Sequence, residues 1–182
     1  SGFFLDLATC YHMAWLGATV RRNDPRVQRW LAEDRGYDAS VRLELLRLIG
    51  AVIADIVPRY RRLAEQGRVE LSFTPYAHPI MPLLLDLQSA RESMPDVRLP
   101  EGRSYPGGQQ RVRWHVERGL EVFQKHFGFA PAGCWPSEGS VSTATLRLLD
   151  EYGLAWAASG QTVLANSLSV LPGAEKGPRD GW

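Results

Sequence analysis

The segment RVELSFTPYAHPIMPLLLD, residues 68–86, marks the point where the apolar pattern of the chain changes from a helical period to strict alternation. Apolar and polar side chains alternate through residues 69–74, which predicts a β-strand, and Pro75 ends it. Residues 80–93 then have the apolar spacing of a helix, with prolines suited to its entry turn. This segment therefore predicts a strand followed directly by a helix.

Three helices are predicted ahead of this strand. They span residues 3–15, residues 25–35 after an Asp24 cap, and residues 40–67 with a Ser40 cap and a kink or break near Pro58. Three helices before a first strand are unusual for a sheet protein. They either decorate the sheet or follow an earlier strand.

The remaining elements alternate between strand and helix. A long loop is predicted at residues 94–108, and the elements after it are a helix at 109–127, a strand near 132–135, a helix at 142–152 and a strand at 154–159. Strands that alternate with helices in this order form βαβ units around a parallel sheet. The fold class predicted from the pattern is therefore α/β.

Composition and charge restrict the function further. The 182 residues are 45% hydrophobic and 23% charged, as in one ordinary globular domain. The net charge of +1 creates no overall field for nucleic acid or anionic lipid, so neither is expected as a partner, and a neutral substrate fits better. No apolar run approaches the roughly 18 residues of a membrane span. A soluble, cytoplasmic protein is expected, and the oligomeric state stays open.

Several common kinds of site lack their sequence motifs. Cys10 and Cys134 are far apart, which argues against a disulfide framework or a thiolate zinc site, and both are expected to be small buried side chains. The four histidines form no HxxxH pair, so no metal site or cofactor is predicted. A GxSxG elbow and a GK[ST] phosphate loop are also missing. Ser140 is expected to cap the following helix.

Two short segments follow predicted strand ends, where sites form in parallel βα folds. These are PYAHP at residues 75–79 and WPSEG at residues 135–139. Glu138 is either a functional carboxylate or a first-turn carboxylate favoured by the helix dipole. His78 is either a site residue or a core histidine. Trp135 either packs in the core or offers a flat apolar face to a sugar ring.

The motifs, in order and spacing, resemble glycoside hydrolase family 57, the α-glucan-active enzymes often labelled α-amylase or α-mannosidase. The resemblance covers nearly the whole chain. The segments that carry it are FLDL with HMAWLG, GRVELSFTPYAHPIMPLLLD, RLPEG, FGFAPAGCWPSEGSVS and GLAWAAS.

This resemblance implies an incomplete TIM-like (β/α)7 barrel with parallel strands and several extra helices. Residues 1–182 would be part of the catalytic barrel domain, truncated at both ends. The implied activity is that of a retaining glycoside hydrolase or transglycosylase acting on an α-glucan or oligosaccharide. Glu138 is implied as the nucleophile, and His78, Tyr76 and Trp135 as sugar contacts.

A retaining mechanism needs a second carboxyl group roughly 5 Å from the first, to protonate the leaving oxygen. In the family this is an aspartate on a later strand, so the acid/base is expected outside these 182 residues. Asp86 and Asp150 are predicted inside helices, and Asp180 falls in an irregular tail, which makes them poor substitutes. The sequence departs from many relatives at residues 159–161, Ser-Gly-Gln, where an acidic pair is common.

Two other functions remain alternatives. One is a metal-dependent carbohydrate deacetylase with a similar barrel, which requires a cluster of histidine and carboxylate ligands. The other is a non-catalytic glucan-binding module that keeps the aromatic lining. Within the leading interpretation, hydrolysis and transfer to another sugar are both open.

Overall fold

The computed structural model describes residues 2–94, 96–101 and 104–169. The chain divides between Tyr60 and Arg61 into two compact units. Asp180 lies outside the described residues.

The first unit is helical. Its helices are α1 (Gly2–Trp15), α2 (Ala18–Asn23), α3 (Pro25–Glu33) and the first part of α4 (Ala39–Glu65). Its core is formed by Met13, Leu16, Val27, Trp30, Tyr37, Leu45 and Leu48. The Asp6 carboxylate accepts hydrogen bonds from the backbone N–H groups of Gly36 and Tyr37, at 2.9 and 2.8 Å, and so holds the α3–α4 turn against α1.

The sequence predicted most of this unit. Helix α1 and the Asp24 cap of α3 are confirmed, and the Asp24 carboxylate accepts from the N–H of Arg26. The Ser40 cap is wrong, because the Asp38 carboxylate accepts from the N–H groups of Ser40 and Val41, and the helix already begins at Ala39. A kink or a break was predicted near Pro58, and the break is wrong, because helix α4 is continuous through this residue.

The second unit contains the strands. Its further elements are α5 (Met81–Leu85), a 3₁₀ turn (Leu87–Ser89), α6 (Ala90–Ser93), α7 (Gly108–Phe127), β1 (Gly133–Cys134), α8 (Thr143–Glu151), β2 (Trp156–Ala157) and α9 (Gln161–Ser169). The helices predicted at 109–127 and 142–152 and the strands near 132–135 and 154–159 are confirmed, whereas α9 was not predicted. In the described part of the chain, no helix is both long and apolar enough to cross a bilayer.

The strands pair in parallel, as predicted. Gly133 lies opposite Trp156 in the β1–β2 register, and on the other side of β1 Phe73 forms a parallel bridge with Cys134. The strand predicted at 69–74 is otherwise wrong, because β1 is only two residues long and gives residues 69–72 no ladder partner. The described residues thus hold three short parallel segments among many helices.

Gly133 allows the two named strands to pack closely. A Cβ at this position would lie 2.0 Å from Cε2 of the Trp156 indole, so only glycine fits. The Trp156 indole N–H donates to the Glu70 carboxylate at 2.6 Å. This hydrogen bond ties residues 69–72 to β2 through side chains instead of backbone pairing.

One apolar core lies under the strand segments. It consists of Phe73, Met81, Val112, Val116, Phe123, Cys134, Leu148, Leu149 and Leu154. Burial raises the pKa of the Cys134 thiol to about 12. Cys134 is buried as predicted, whereas the same prediction is wrong for Cys10, which is exposed on α1.

The helix predicted at 80–93 is wrong as a single element. Asp86 has an extended backbone (φ −156°, ψ 121°), and its carboxylate accepts from the N–H of Gln88 at 2.8 Å. This local hydrogen bond ends α5 and starts the 3₁₀ turn. Asp86 is therefore a cap and not a mid-helix residue, whereas Asp150 does lie inside α8.

Candidate active site

Two loops leave the carboxyl ends of neighbouring parallel segments and lie side by side. Residues 74–80 follow Phe73, and residues 135–141 follow β1. The backbone N–H of Trp135 donates to the Phe73 carbonyl at 2.8 Å, which joins the starts of the two loops. This edge of a parallel sheet is where βα folds gather their functional groups.

Glu138 lies on a 3₁₀ turn, Ser137–Gly139, directly after β1. The turn is anchored by Ser137, which is fully buried, and the carbonyl of Ser137 accepts from both the N–H and the hydroxyl of Ser140. Ser140 therefore does not cap α8 as predicted; the Ser142 hydroxyl does so by accepting from the N–H of Thr145. The Glu138 side chain is 74% exposed and points away from the core.

His78 faces Glu138 from the other loop. Its Nδ1 lies 3.8 Å from Oε1 of Glu138, and its side chain is 56% exposed. The separation is longer than a direct hydrogen bond, yet short enough for an ion pair when the imidazole is protonated. The structure thus brings together two residues that lie sixty positions apart and that the sequence analysis selected separately.

Both loops hold non-glycine residues in the left-handed backbone region. The φ angles of Ala77, His78 and Glu138 are 58°, 57° and 56°. Each such residue costs about 1 kcal/mol relative to a relaxed backbone. In the described residues the other non-glycine example is Asp34, at the end of a helix. The strain is therefore concentrated at this sheet edge, a distribution typical of functional sites.

His115 on α7 holds the first loop in place. Its carbonyl accepts from the N–H of Tyr76 at 2.9 Å, and its Nδ1 lies 2.6 Å from the Tyr76 carbonyl. A carbonyl can only accept, so Nδ1 carries the proton in this contact. Gly119, one turn further along α7, makes the approach possible, because a Cβ there would lie 3.1 Å from the Tyr76 nitrogen.

The two predicted aromatic residues are placed differently. Trp135 precedes the Glu138 turn and is 58% exposed, so its indole is accessible instead of packed in the core. Tyr76 is 42% exposed, but its ring turns toward α7, where it contacts the Trp114 ring edge-on at 5.7 Å and lies 5.8 Å from the guanidinium of Arg118. Trp135 is thus exposed beside Glu138, whereas the Tyr76 ring contacts side chains of α7.

A third strand end also contributes to this edge. The Ser159 hydroxyl, just after β2, donates to the Gly139 carbonyl at 2.7 Å and supports the turn that carries Glu138. Sequence reasoning noted residues 159–161 only as a departure from relatives, and it missed His115, Trp114 and Arg118. These three residues face the Tyr76 loop from one stretch of α7, and no motif in the sequence marks them.

The site is an open edge of the sheet and not an enclosed pocket. One cavity of about 600 Å³ lies beside residues 64–71 and 129–132, at the amino-terminal side of the strand segments. Another, of about 570 Å³, lies beside Trp114 and His115. Glu138 lines neither of them. Among the residues that the structure describes, no three or more histidine, cysteine or acidic side chains are grouped as metal ligands.

Comparison with known proteins identifies a protein family and a curated relative. The model of a family described as Glycosyl hydrolase family 57 matches residues 13–174. A curated 1,4-alpha-glucan branching enzyme of Thermococcus kodakarensis is 27% identical over 88 residues, which are 48% of this chain and 10% of that enzyme. The chain thus aligns with about a tenth of this relative. No solved structure matches the chain.

Proposed function

Because the chain belongs to glycosyl hydrolase family 57, we propose that the complete protein cleaves or transfers α-glucan chains by a retaining mechanism with Glu138 as the nucleophile. The observation that carries the proposal is the pairing of Glu138 with His78, at 3.8 Å, on the carboxyl edge of the parallel segments. Both side chains are accessible to a substrate from solvent. An ion pair buried in the core would argue for a purely structural carboxylate. Glu138 and His78 do not form such a pair, since both side chains are more than half exposed.

The proposed reaction has two steps. In the first, a Glu138 oxygen attacks the anomeric carbon, the glycosidic C–O bond breaks, and a general acid protonates the departing oxygen. In the second step, water or a sugar hydroxyl attacks the same carbon and gives up its proton to the residue that acted as general acid. The bond between the sugar and Glu138 breaks, and the carboxylate is released. Two inversions at one carbon retain its configuration.

Each loop residue has a role in this proposal. The strained 3₁₀ turn fixes the backbone position from which the Glu138 carboxylate reaches the substrate. His78 can donate an N–H either to the carboxylate or to a sugar hydroxyl. The exposed indole of Trp135 provides a flat apolar face for sugar C–H groups, and the exposed part of the Tyr76 ring is proposed as a second sugar contact.

We propose that the general acid and the remaining strands of the barrel lie outside these residues. In the proposal, the second carboxyl is an aspartate outside the 182 residues, and the chain is one part of an incomplete (β/α)7 barrel domain. The three parallel segments with helices between them support this architecture. The name of the Thermococcus relative supports an α-glucan as substrate and chain transfer as an outcome, and product analysis distinguishes transfer from hydrolysis.

Replacing the carboxylate by its amide tests the proposal. In the complete protein, Glu138→Gln is expected to lower kcat on an α-glucan by roughly a thousandfold or more, because the nucleophile is lost with little change in volume. Glu33→Gln, the same change at an exposed carboxylate on α3, is the matched control and is expected to retain activity. Near-normal turnover by Glu138→Gln would refute the assignment.

Two further measurements separate the alternatives. A chelator is expected to leave the activity unchanged, and loss of activity on chelation would favour the metal-dependent deacetylase. Binding of glucan without any turnover by the unmodified protein would favour the non-catalytic module.

A further inference from the structure

We propose that the cavity beside Trp114 on α7 is a second glucan-binding subsite, which holds a part of the same chain away from the bond that reacts at Glu138. The inference rests on the proposed function, since it takes an α-glucan as the ligand. It concerns residues that neither the sequence motifs nor the family match assigns.

The cavity has the size and position of a ligand site. Its volume is about 570 Å³, within the range of roughly 300–1,000 Å³ for small-molecule sites. It lies between the loop before α7 and the first two turns of that helix. The residues that line it are Pro106, Gly107, Gln110, Arg111, Trp114 and His115.

The lining has the chemistry of a neutral sugar site. The Trp114 indole is 53% exposed and offers an apolar face for the C–H groups of a hexose. Gln110 can donate and accept hydrogen bonds, and Arg111 can donate several, which suits sugar hydroxyl groups. The guanidinium of Arg111 lies 5.5 Å from the centre of the Tyr105 ring, an arrangement that restrains it beside the cavity. The lining residues include no carboxylate.

The cavity is linked to the Glu138 loop through Tyr76 and His78. The Trp114 ring contacts the Tyr76 ring at 5.7 Å, and His115 fixes the Tyr76 backbone through two hydrogen bonds. His78 follows Tyr76 by two residues, a span of at most about 7 Å, and faces Glu138 at 3.8 Å. Glu138 does not line the cavity. In this proposal the reacting sugar therefore lies at Glu138, and the cavity holds another unit of the same chain.

A purely structural role for Trp114 makes a different prediction. In that case the indole only covers the hydrogen bonds between His115 and Tyr76. Its removal would then weaken binding of short and long glucans equally, through a displaced loop. A subsite instead makes the loss depend on chain length, because only a long ligand reaches the cavity.

The test measures binding in the complete protein with Glu138→Gln, so that the ligand is not consumed. Affinities for maltose and for a long maltodextrin are measured by calorimetry, with Trp114→Ala, Trp114→Phe and Lys125→Ala added singly. Lys125 is an exposed residue on the same helix, about 16 Å further along its axis. The ratio of maltodextrin to maltose affinity is expected to fall about tenfold in Trp114→Ala, the effect of losing one well-used aromatic contact. Trp114→Phe is expected to keep most of this ratio, and Lys125→Ala all of it.

An unchanged ratio in Trp114→Ala would overturn the subsite, and so would an equal loss for both ligands. Competition by inorganic phosphate would also overturn it, by indicating an anion site at Arg111. These outcomes are distinct from failure of the proposed function, which would appear as an unmodified protein that processes no α-glucan at all.

Discussion

Gly119 allows α7 to approach the loop that carries His78, so Gly119→Ala is expected to destabilise the second unit and to lower activity. A Cβ at this position would lie 3.0 Å from Cδ2 and Cε2 of Phe73 and 3.1 Å from the Tyr76 nitrogen. Phe73 is buried and bridged to Cys134, and the Tyr76 N–H is bonded to His115. Neither neighbour can move away without breaking a contact.

Two opposing effects set the magnitude. Alanine in place of glycine within a helix stabilises by about 1 kcal/mol. Overpacking a filled site destabilises by about 1–3 kcal/mol. The expected net effect of Gly119→Ala is a destabilisation of about 1 kcal/mol.

Gly50→Ala is the matched control. Gly50 lies inside α4, is exposed, and a Cβ there would have nothing within 4 Å, so only the helix-propensity gain of about 1 kcal/mol applies. The same substitution is therefore expected to have opposite signs at Gly50 and Gly119, with a difference of about 2 kcal/mol.

Because the two glycines lie in different units, amide hydrogen exchange in peptides of α4 and α7 is the appropriate assay, since it reports the free energy of opening for each helix. The activity of Gly119→Ala on an α-glucan is expected to fall, because the added methyl group displaces the loop of Tyr76 and His78. Equal stabilisation by both substitutions, with activity retained, would refute the reasoning about this contact.

Three further predictions concern the strained turn, its support and the thiols. Glu138→Gly is expected to raise the stability of the second unit by about 1 kcal/mol in hydrogen exchange while abolishing activity, because φ is +56° at this position; unchanged or lower stability would contradict the strain argument. Ser159→Ala is expected to lower kcat several-fold with little change in KM, because it removes the hydrogen bond to the Gly139 carbonyl. Ser159→Thr retains the hydroxyl and is expected to keep kcat. Equal kcat for the two variants would argue against this support. At about pH 8 iodoacetamide is expected to label the exposed Cys10 and to spare the buried Cys134. The pKa of Cys134 is raised to about 12, so its thiol stays protonated at this pH. Mass spectrometry of the protein labelled in the folded state measures the two sites.

The elements predicted best are those set by local signals. Asp24 before Pro25 defines the start of α3, and the apolar period with a terminal glycine defines α7 to within one residue. The errors occurred where the carboxylate of a nearby aspartate accepted a hydrogen bond from a backbone N–H group and so changed where a helix begins or ends. Asp86 interrupts an otherwise good helical pattern, and Asp38 takes the capping role expected of Ser40.

The candidate site was predictable in part, because local motifs mark some of its residues and contacts that are distant along the chain position the others. Glu138 and His78 stand out because each follows a strand pattern between prolines or glycine, although the sequence could not give the distance between them. His115 and Ser159 support the two loops from 39 and 20 residues away along the chain. No periodic pattern encodes hydrogen bonds at such separations, so only the fold reveals them. The strand at 69–74 failed similarly, because its alternation cannot indicate how long its partner is.

Covalent trapping tests the central claim most directly. A fluorinated glucosyl fluoride forms a glycosyl–enzyme intermediate that is released slowly, so the complete protein can be labelled, digested and sequenced by mass spectrometry. The account predicts one added sugar on the peptide that carries Glu138, with no label in Glu138→Gln. A label on a different carboxylate, or an active protein that turns over the reagent with retention and labels nowhere near Glu138, would contradict it.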